Sequence, residues 1–349
     1  MTTPTRTTDT MTTDTIPSFH RIGVVGGGAW GTALAVAAAR AGRETLLWAR
    51  EPAVVDGINT AHENRDYLPG VALPAELRAT TELAEVGACD AILLVAPAQH
   101  LRSVCARLAP HLKAGAPVVI CAKGIEIETQ ALMCDAVEAA LPAGTPIAIL
   151  SGPTFAAEVA RGLPTAVTLA CKNAGTGAAL VEALGSLTFR PYLSDDVIGA
   201  QVGGAVKNVL AIACGVVAGR NLGDNARAAL ITRGLAEIAR LGLRLGARPE
   251  TLMGLSGLGD LTLTCSSLQS RNMSLGVALG EGRTLDEVLG ERRSVAEGVY
   301  TARAVAALAA RLGVEMPICT AVDAILNQGA GLDETIRGLL SRPFREEAL

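Results

Sequence analysis

A single lysine interrupts a long apolar stretch in the second half of the chain. Residues 198–218 contain one charged side chain, Lys207, among apolar residues, glycines, Gln201 and Asn208. An unpaired buried ammonium is costly, so a lysine in this position needs a partner or a chemical role. Burial lowers the pKa of a lysine toward neutrality, which suits a group that exchanges a proton at physiological pH. The alternative is a structural lysine paired with a carboxylate. Asp260, which follows a glycine-rich segment, has the charge to be that partner.

Two further segments place polar groups directly after predicted strands. Lys123 follows the apolar run 117–121, where its ammonium can face a phosphate or a polarised carbonyl. The alternative is a lysine that extends from a strand end into water. After the next such run, Gly152 and Thr154 lie in a turn and Ala156 begins a predicted helix. The backbone amides and the Thr154 hydroxyl either face a ligand or cap that helix.

A third segment combines a helix-capping residue with an arginine. Ser270 has the chemistry of an N-cap, which places Arg271 and Asn272 in the first turn of a helix. Free N–H groups and the helix dipole favour an anion there, and an arginine fork suits a phosphate. An arginine that simply faces water is the alternative.

The strongest motif near the start of the chain is a glycine turn with the spacing G-x-G-x-x-G, formed by Gly26, Gly28 and Gly31. An apolar strand at 22–25 precedes it and an alanine-rich helix follows. In that context the first glycine permits a tight turn, the second allows close approach to a pyrophosphate, and the third lets helix pack on strand. We therefore expect a dinucleotide here, although similar turns also serve packing alone.

The residue after the second strand bears on the choice of dinucleotide. An NAD-specific site places an acidic residue about twenty positions after the glycine turn, to bind the ribose hydroxyls. Here Arg50 occupies that region and the first acid, Glu51, comes one position later. Arg50 can accommodate a 2′-phosphate, so NADP(H) is favoured and NAD(H) remains open. A solvated surface arginine is the alternative.

Short apolar strands alternate with helices in the first half of the chain. We predict helices at about 30–41, 101–109 and 129–140, and strands at 22–25, 44–48, 91–95, 117–121 and 146–150. This alternation predicts a parallel sheet with ligands at the carboxyl ends of its strands. Beyond about residue 190 long helical patterns dominate, including one at 299–311.

The predicted fold class is α/β, with a Rossmann-like N-terminal domain built on a parallel sheet and an all-helical C-terminal domain. The predicted boundaries are a disordered tail at 1–20, a dinucleotide-binding domain at 21–190 and a helical substrate and catalytic domain at 191–349. The threonine-rich tail has too few apolar residues to order itself.

Composition excludes several classes of protein. The 349 residues carry a net charge of −4, which offers no basic footprint for nucleic acid. Eight scattered cysteines without a C-x-x-C pair indicate reduced core thiols, and the four histidines show no metal-ligand spacing, so we expect no metal. A lysine in the middle of 198–218 disfavours a membrane span. Without an apolar signal core, we expect a cytoplasmic enzyme acting on a small molecule.

Six motifs in order resemble the NAD(P)-dependent glycerol-3-phosphate dehydrogenase family in its bacterial form. They are GGGAWGTAL at 26–34, CAKGIE at 121–126, LSGPTFA at 150–156, GGAVKN at 203–208, LGDL at 258–261 and QSRN at 269–272. The resemblance covers about residues 21–340. It implies an enzyme that interconverts dihydroxyacetone phosphate and sn-glycerol 3-phosphate, commonly with NADPH, for phospholipid synthesis in the cytoplasm.

The resemblance also implies roles for individual residues. Lys207 matches the proton-transfer lysine, Lys123 the lysine near both cofactor and substrate, and Asp260 the carboxylate near the substrate hydroxyl. The resemblance places the phosphate end of the substrate against Ser270, Arg271 and Asn272, and Gly152 and Thr154 are further candidate substrate contacts. It places the nucleotide against Ala29, Trp30, Arg50, Ala156, Val295 and Glu297. Further candidate nucleotide contacts are Gly26, Gly28, Gly31, Lys123 and Arg271. Ala29 departs from the serine found in many bacterial members, which removes one hydroxyl contact to the pyrophosphate.

Two other functions remain open at this point. One is a β-hydroxyacid dehydrogenase of similar build, which uses a helix lysine but has no need of Arg271. The other is a dinucleotide-binding regulator without turnover. The oligomeric state is also open, with a homodimer as one candidate.

Overall fold

The computed structural model describes residues 18–291, 296–344 and 346, and it shows a sheet-bearing part followed by a helical part. The strands are β1 (Arg21–Val25), β2 (Glu44–Trp48), β3 (Arg78–Thr80), β4 (Ala91–Leu94), β5 (Val118–Ile120), β6 (Ile147–Ser151), β7 (Thr165–Cys171) and β8 (Phe189–Ser194). Between them lie α1 (Ala29–Arg40), α2 (Pro52–Asp56), α3 (Leu83–Gly87), α4 (Leu101–Leu108), α5 (Met133–Glu138), α6 (Ala156–Arg161) and α7 (Ala174–Leu184).

The helical part begins directly after β8. Its helices are α8 (Val197–Gly219), α9 (Asp224–Leu245), α10 (Pro249–Leu252), α11 (Asp260–Cys265), α12 (Arg271–Gly280), α13 (Leu285–Gly290), α14 (Glu297–Leu312), α15 (Pro317–Asn327) and α16 (Leu332–Leu340). Two π-helical turns, Gly57–Ala61 and Leu255–Gly259, follow α2 and precede α11. The predicted fold class, a Rossmann-like sheet followed by a helical part, is confirmed.

The eight strands form one sheet in the order β3-β2-β1-β4-β5-β6-β7-β8. The five predicted strands, β1, β2, β4, β5 and β6, pair in parallel as expected. Strands β3 and β8 also pair in parallel with their neighbours, and the antiparallel pair is β6 with β7, a strand that was not predicted. The sequence patterns also missed β3, β7 and β8. Strand β8 contains Pro191, which cannot donate a ladder hydrogen bond and is tolerated because β8 is an edge strand.

Several predicted boundaries differ from the structure. Strand β8 extends to Ser194, past the predicted domain boundary at residue 190. The helix expected over 129–140 is confined to α5, because residues 129–132 form a turn and a short bridge. Helix α14 begins at Glu297, two residues ahead of the predicted start at 299.

The described chain makes its first contacts ahead of β1. Residues 1–17 of the predicted tail lie outside the described residues. Phe19 is buried against the sheet-bearing core, and the His20 backbone N–H donates to Asp90 Oδ2 at 3.0 Å. The eight cysteines all lie in the described ranges as free thiols, and seven of them are buried.

Helix α8 forms the centre of the helical core. The Asp196 carboxylate caps it by accepting from Gly199 N–H at 2.8 Å, and also accepts from Arg248 N–H at 2.8 Å. By length and composition α8 can cross a membrane, but 89% of its most apolar 18-residue window is buried inside the protein. Its apolar character is therefore explained by packing between the sheet and the surrounding helices.

Candidate active site and dinucleotide turn

The glycine turn between β1 and α1 is sterically demanding at two of its three motif glycines. A Cβ at position 31 would lie 1.8 Å from Gly26 O, and Gly26 itself has a φ of +133° and lies against the backbone of Val95. By contrast, a Cβ at Gly28 would meet no atom within 4 Å. The protein's own packing therefore does not require glycine at 28, and the open space beside it fits a ligand that approaches the backbone closely.

The start of α1 has the polarity of an anion site. Gly28 is its N-cap and the first turn contains no acidic residue, so its amide groups and dipole are not neutralised there by a side chain. Ala29 and Trp30 occupy the first two helical positions. The buried Trp30 Nε1–H has no hydrogen-bond partner among the residues that the structure describes. A buried donor without a partner calls for an explanation, and this one belongs to the second residue of α1, next to the glycine turn.

Arg50, at the end of β2, is engaged by its neighbour. Its guanidinium donates to Glu51 Oε1 from Nη2 at 2.7 Å and from Nε at 3.1 Å, while the arginine side chain is 79% exposed. An exposed pair of this kind contributes little stability. A 2′-phosphate can therefore compete for Arg50, with Glu51 as the competing anion.

Three ionisable groups from distant parts of the chain meet between the sheet and α8. Lys123, just past β5, donates from Nζ to Asp260 Oδ2 at 2.6 Å, and Lys207 in α8 donates from Nζ to Asp260 Oδ1. The Asp260 side chain is fully buried and that of Lys207 is 7% exposed. The predicted Lys207–Asp260 partnership is confirmed. The interpretation of Lys123 as a lysine reaching for water is wrong, since its side chain is only 14% exposed.

Each ammonium in this cluster has two protein acceptors for its three N–H groups within the described chain. Lys207 also donates to Thr264 Oγ1 at 2.9 Å, and Lys123 also donates to Gly152 O at 3.1 Å. Burial lowers the pKa of Lys207 to about 8, with Asp260 opposing that shift and Lys123 adding to it. Lys207 can therefore change its protonation state near neutral pH and still has a donor for a ligand.

Thr264 was not predicted as a site residue. It lies four positions after Asp260 in α11, so both side chains project from one face of the helix. Its hydroxyl donates to Asp260 O at 2.6 Å, which leaves the oxygen lone pairs for Lys207. The i, i+4 spacing from the predicted carboxylate is the signal that could have found it.

Close packing brings Asp260 within reach of Lys207. The π-helical turn Leu255–Gly259 lies on α8 at Gly203, where a Cβ would be 2.5 Å from Ser256 O and 2.9 Å from Gly257 Cα. Gly203 and Lys207 are four residues apart and share a face of α8. The turn that contacts Gly203 therefore delivers Asp260, the next residue in the chain, to the lysine one helical turn away.

The segment after β6 supports the same cluster. Gly152 supplies the carbonyl that Lys123 contacts, and the Thr154 hydroxyl donates to Gly152 O at 3.2 Å. Helix α6 begins at Ala156 with Phe155 as its N-cap and no side-chain cap bond. The capping interpretation of Thr154 is therefore wrong, while a ligand contact stays a prediction.

The start of α12 has the predicted cap. Ser270 Oγ accepts from Met273 N–H at 3.2 Å, and Arg271 is exposed in the first turn. Asn272 is buried instead, with Nδ2 donating to Asn208 Oδ1 at 3.0 Å and Oδ1 accepting from Gly298 N–H at 3.0 Å. Its side-chain amide thus ties α12 to α8 and α14, so a phosphate contact from Asn272 is left chiefly to its backbone.

Glu297, the first residue of α14, lies close to the arginine. Burial raises the pKa of Glu297, while Arg271 and the backbone N–H of Ala98 oppose that shift. Ala98 follows β4, so Glu297 lies between the sheet and α12. Val295, the other residue predicted here for the nucleotide, lies outside the described residues.

A hydrogen bond crosses between the two parts beside this site. Gln269 Nε2, just ahead of α12, donates to Glu158 Oε1 in α6 at 3.2 Å. The start of α12 is thereby held near the segment that follows β6.

A mainly parallel sheet with a glycine turn after β1, joined to helices that contribute a buried lysine, defines a dinucleotide-dependent dehydrogenase. Two family models match the two parts of the chain separately. The model described as NAD-dependent glycerol-3-phosphate dehydrogenase N-terminus matches residues 21–176, and its C-terminus counterpart matches residues 196–337. The chain belongs to the NAD-dependent glycerol-3-phosphate dehydrogenase family.

Individual relatives match over nearly their whole length. The chain is 61% identical over 330 residues to glycerol-3-phosphate dehydrogenase (NAD(P)+) of Parvibaculum lavamentivorans, covering 95% of this chain and 99% of the relative. It is 63% identical over 330 residues to the protein of that name from Rhodospirillum rubrum, covering 94% of each. The crystal structure of glycerol-3-phosphate dehydrogenase from Coxiella burnetii has a TM-score of 0.89 and 41% identity, covering 93% of this chain and 100% of that one.

Proposed function

We propose that this chain catalyses the NAD(P)H-dependent reduction of dihydroxyacetone phosphate to sn-glycerol 3-phosphate, and the reverse reaction, for phospholipid synthesis. The observation that carries the proposal is the buried cluster of Lys207, Asp260 and Lys123 at the carboxyl ends of β5 and β6. Family membership favours this activity over a β-hydroxyacid dehydrogenase and over a regulator without turnover.

Reduction of the ketone needs a hydride at carbon and a proton at oxygen. The reduced nicotinamide supplies the hydride when it is bound. Lys207 in its ammonium form donates the proton to the developing alkoxide, and its pKa of about 8 keeps much of it protonated at neutral pH. In the reverse direction the neutral amine of Lys207 accepts the proton of the substrate hydroxyl.

The neighbours of Lys207 position it and add charge. Asp260 and Thr264 each accept one of its N–H groups, which fixes the direction of the third. Lys123 contributes a second positive charge near the developing negative oxygen. Its contact with Gly152 O holds that ammonium at the end of the sheet.

The phosphate of the substrate is proposed to bind at the start of α12. Arg271 supplies a guanidinium, while Ser270 and Asn272 supply the first-turn backbone that favours an anion. Fixing the phosphate there orients the ketone carbon for transfer. The nearby Glu297 fits a role at the nucleotide, on the sheet side of this helix.

The dinucleotide is proposed to lie along the glycine turn, at Gly26, Gly28, Ala29, Trp30 and Gly31. The open space at Gly28 and the unsatisfied Trp30 donor support this placement. NADP(H) is the favoured cofactor because Arg50 is available to a 2′-phosphate. Ala156, at the start of α6, is proposed as a further nucleotide contact.

The domain assignment, the cellular location and the oligomeric state are also proposals. We assign the dinucleotide to a domain at 21–190 and the helical substrate domain to the remainder, in a cytoplasmic protein with free thiols that does not bind nucleic acid. A homodimer is the proposed assembly, and light scattering at several protein concentrations tests it.

The activity is tested by following reduced-nicotinamide absorbance after addition of dihydroxyacetone phosphate, with NADPH and NADH in parallel. We expect turnover with both, faster with NADPH. Lys207→Ala should lower kcat by about a hundredfold or more, the size of a general acid–base contribution. Lys113→Ala, which removes a lysine from an exposed pair with Asp90, is the matched control and should retain activity. Near-normal turnover in Lys207→Ala would reject the proton-transfer role.

A further inference from the structure

A buried asparagine from outside the glycine motif contacts the middle of the glycine turn. Asn64 is 1% exposed and lies beyond the π-helical turn that follows α2. Its Nδ2 donates to Gly27 O at 2.9 Å and to Thr32 Oγ1 at 2.8 Å. One side-chain amide thus contacts both the turn and the first turn of α1.

The orientation of this amide is fixed from its other side. Asn64 Oδ1 accepts from Tyr67 N–H at 3.2 Å, and Leu68 N–H donates to Asn64 O at 2.8 Å. The oxygen therefore faces its own loop, which leaves the NH₂ group to face Gly27 and Thr32.

We propose that Asn64 is a positioning residue for the dinucleotide, because it sets the orientation of the peptide between Gly27 and Gly28. That peptide is planar and trans, so its C=O and N–H point in opposite directions. Holding Gly27 O toward Asn64 directs the Gly28 N–H away from Asn64. The inference rests on the proposed placement of the dinucleotide, whose pyrophosphate needs turn amides aimed at it.

The contact with Thr32 extends this control to the helix. Thr32 is fully buried, and its backbone N–H donates to Gly28 O at 2.9 Å. Asn64 therefore contacts the peptide between Gly27 and Gly28 directly, and it reaches the peptide after Gly28 only through Thr32, whose own N–H bonds Gly28 O. Preorganised donors bind an anion more tightly than donors that must reorient on binding.

The test compares cofactor affinity in two asparagine variants of the same loop region. Asn64→Ala should raise the Kd of NADPH and of NADH by the same factor, about ten- to a hundredfold, because both share the pyrophosphate. The KM of dihydroxyacetone phosphate should change by less than about twofold, since the substrate does not contact the turn. Calorimetry measures the Kd values of the cofactors, and steady-state kinetics measure the KM of dihydroxyacetone phosphate.

Asn59→Ala is the matched control. The Asn59 side chain makes two hydrogen bonds, to Ala79 O and from Ala79 N–H, each at 2.9 Å, and they join the loop to β3 and not to the turn. We expect this variant to lower the melting temperature while leaving both Kd values unchanged. A purely structural role for Asn64 would give the same pattern in Asn64→Ala and would overturn the proposal.

A second variant separates hydrogen-bond donation from folding. Asn64→Asp keeps the volume and the acceptor for Tyr67 N–H but cannot donate to Gly27 O, so it should weaken both cofactors at least as much as Asn64→Ala. Unfolding of both variants would assign Asn64 to domain stability and would equally reject the proposal.

Gly28→Val tests the placement of the dinucleotide itself. Gly28 has φ −72° and ψ 179°, and a Cβ there meets no atom, so the variant should fold and lose cofactor binding. Normal binding by Gly28→Val would reject the placement. Loss of binding by Gly28→Val together with normal binding by Asn64→Ala would reject only the role of Asn64.

Discussion

Replacing Asp260 by asparagine should change the pH range in which the enzyme works. The carboxylate accepts from both Lys207 and Lys123 and is fully buried, so Asp260→Asn keeps the shape of the cluster and removes its negative charge. In the native protein burial lowers the pKa of Lys207 to about 8, and Asp260 limits that shift. Loss of an adjacent opposite charge should lower the pKa of Lys207 further, by about 1–3 units.

The sign of the effect follows from the direction of the reaction. Reduction needs the ammonium form of Lys207, so it is retained below the lysine pKa and lost as the pH rises through it. The alkaline limb of kcat/KM should therefore lie near pH 8 in the native enzyme and at about pH 5–7 in Asp260→Asn. If the pKa of Lys207 falls by about 2, the protonated fraction at pH 7.5 drops from roughly 76% to roughly 3%, so reduction at that pH should fall about 25-fold relative to the native enzyme.

The assay is kcat/KM for dihydroxyacetone phosphate between pH 5 and 9.5 at saturating NADPH, with melting temperatures recorded at each pH. Activity of Asp260→Asn should recover as the pH is lowered. Asp195→Asn is the control, since it removes a carboxylate from an exposed ion pair with Arg248. This variant should leave the pH of the alkaline limb of kcat/KM unchanged. An alkaline limb that stays near pH 8, or a loss of activity equal at every pH, would refute the coupling between Asp260 and Lys207.

Three other substitutions test separate parts of the molecule. Arg271→Ala should raise the KM of dihydroxyacetone phosphate by about ten- to a hundredfold, the worth of a charged hydrogen bond, and an unchanged KM would contradict the phosphate role. Arg50→Ala should raise the KM of NADPH by about tenfold and leave that of NADH nearly unchanged; equal effects on both would remove the argument for a 2′-phosphate contact. Glu237→Ala should destabilise folding by about 2 kcal/mol or more in urea unfolding, because the buried N–H groups of Ile318 and Cys319 lose their carboxylate acceptor. A change below about 0.5 kcal/mol would show that these N–H groups are satisfied in another way.

The features predicted correctly from sequence are those that depend on local pattern. The glycine turn, the five apolar strands and the long apolar helix each have a period or a motif that a short window reveals. Lys207 and Asp260 could be paired because a buried ammonium demands a carboxylate and few are available near glycine-rich turns. For Lys207 and Asp260, the need to neutralise a buried charge therefore predicts a contact between residues far apart in sequence.

The features that were missed depend on partners that a short window does not contain. The direction of β7 is defined by its pairing with β6, a strand that lies outside any short window around β7. Strand β8 contains a proline, which is tolerated because β8 is at the edge of the sheet. The position of Asn272 at a helix start predicts a ligand-binding side chain, but its side-chain amide forms hydrogen bonds to Asn208 in α8 and to Gly298 in α14. The two hydrogen bonds of Asn64 to the glycine turn cross more than thirty positions of sequence.

The packing of α8 explains how the protein can hold a charged lysine in its core. Burial of Lys207 without a partner would cost several kcal/mol, so the fold must deliver a carboxylate to the same depth. The absence of a side chain at Gly203 lets the turn that carries Asp260 lie directly on α8, one helical turn from the lysine. The lysine itself is 7% exposed, and this burial is what brings the pKa of Lys207 toward neutrality. Stability and proton transfer thus depend on one close approach between two segments of backbone.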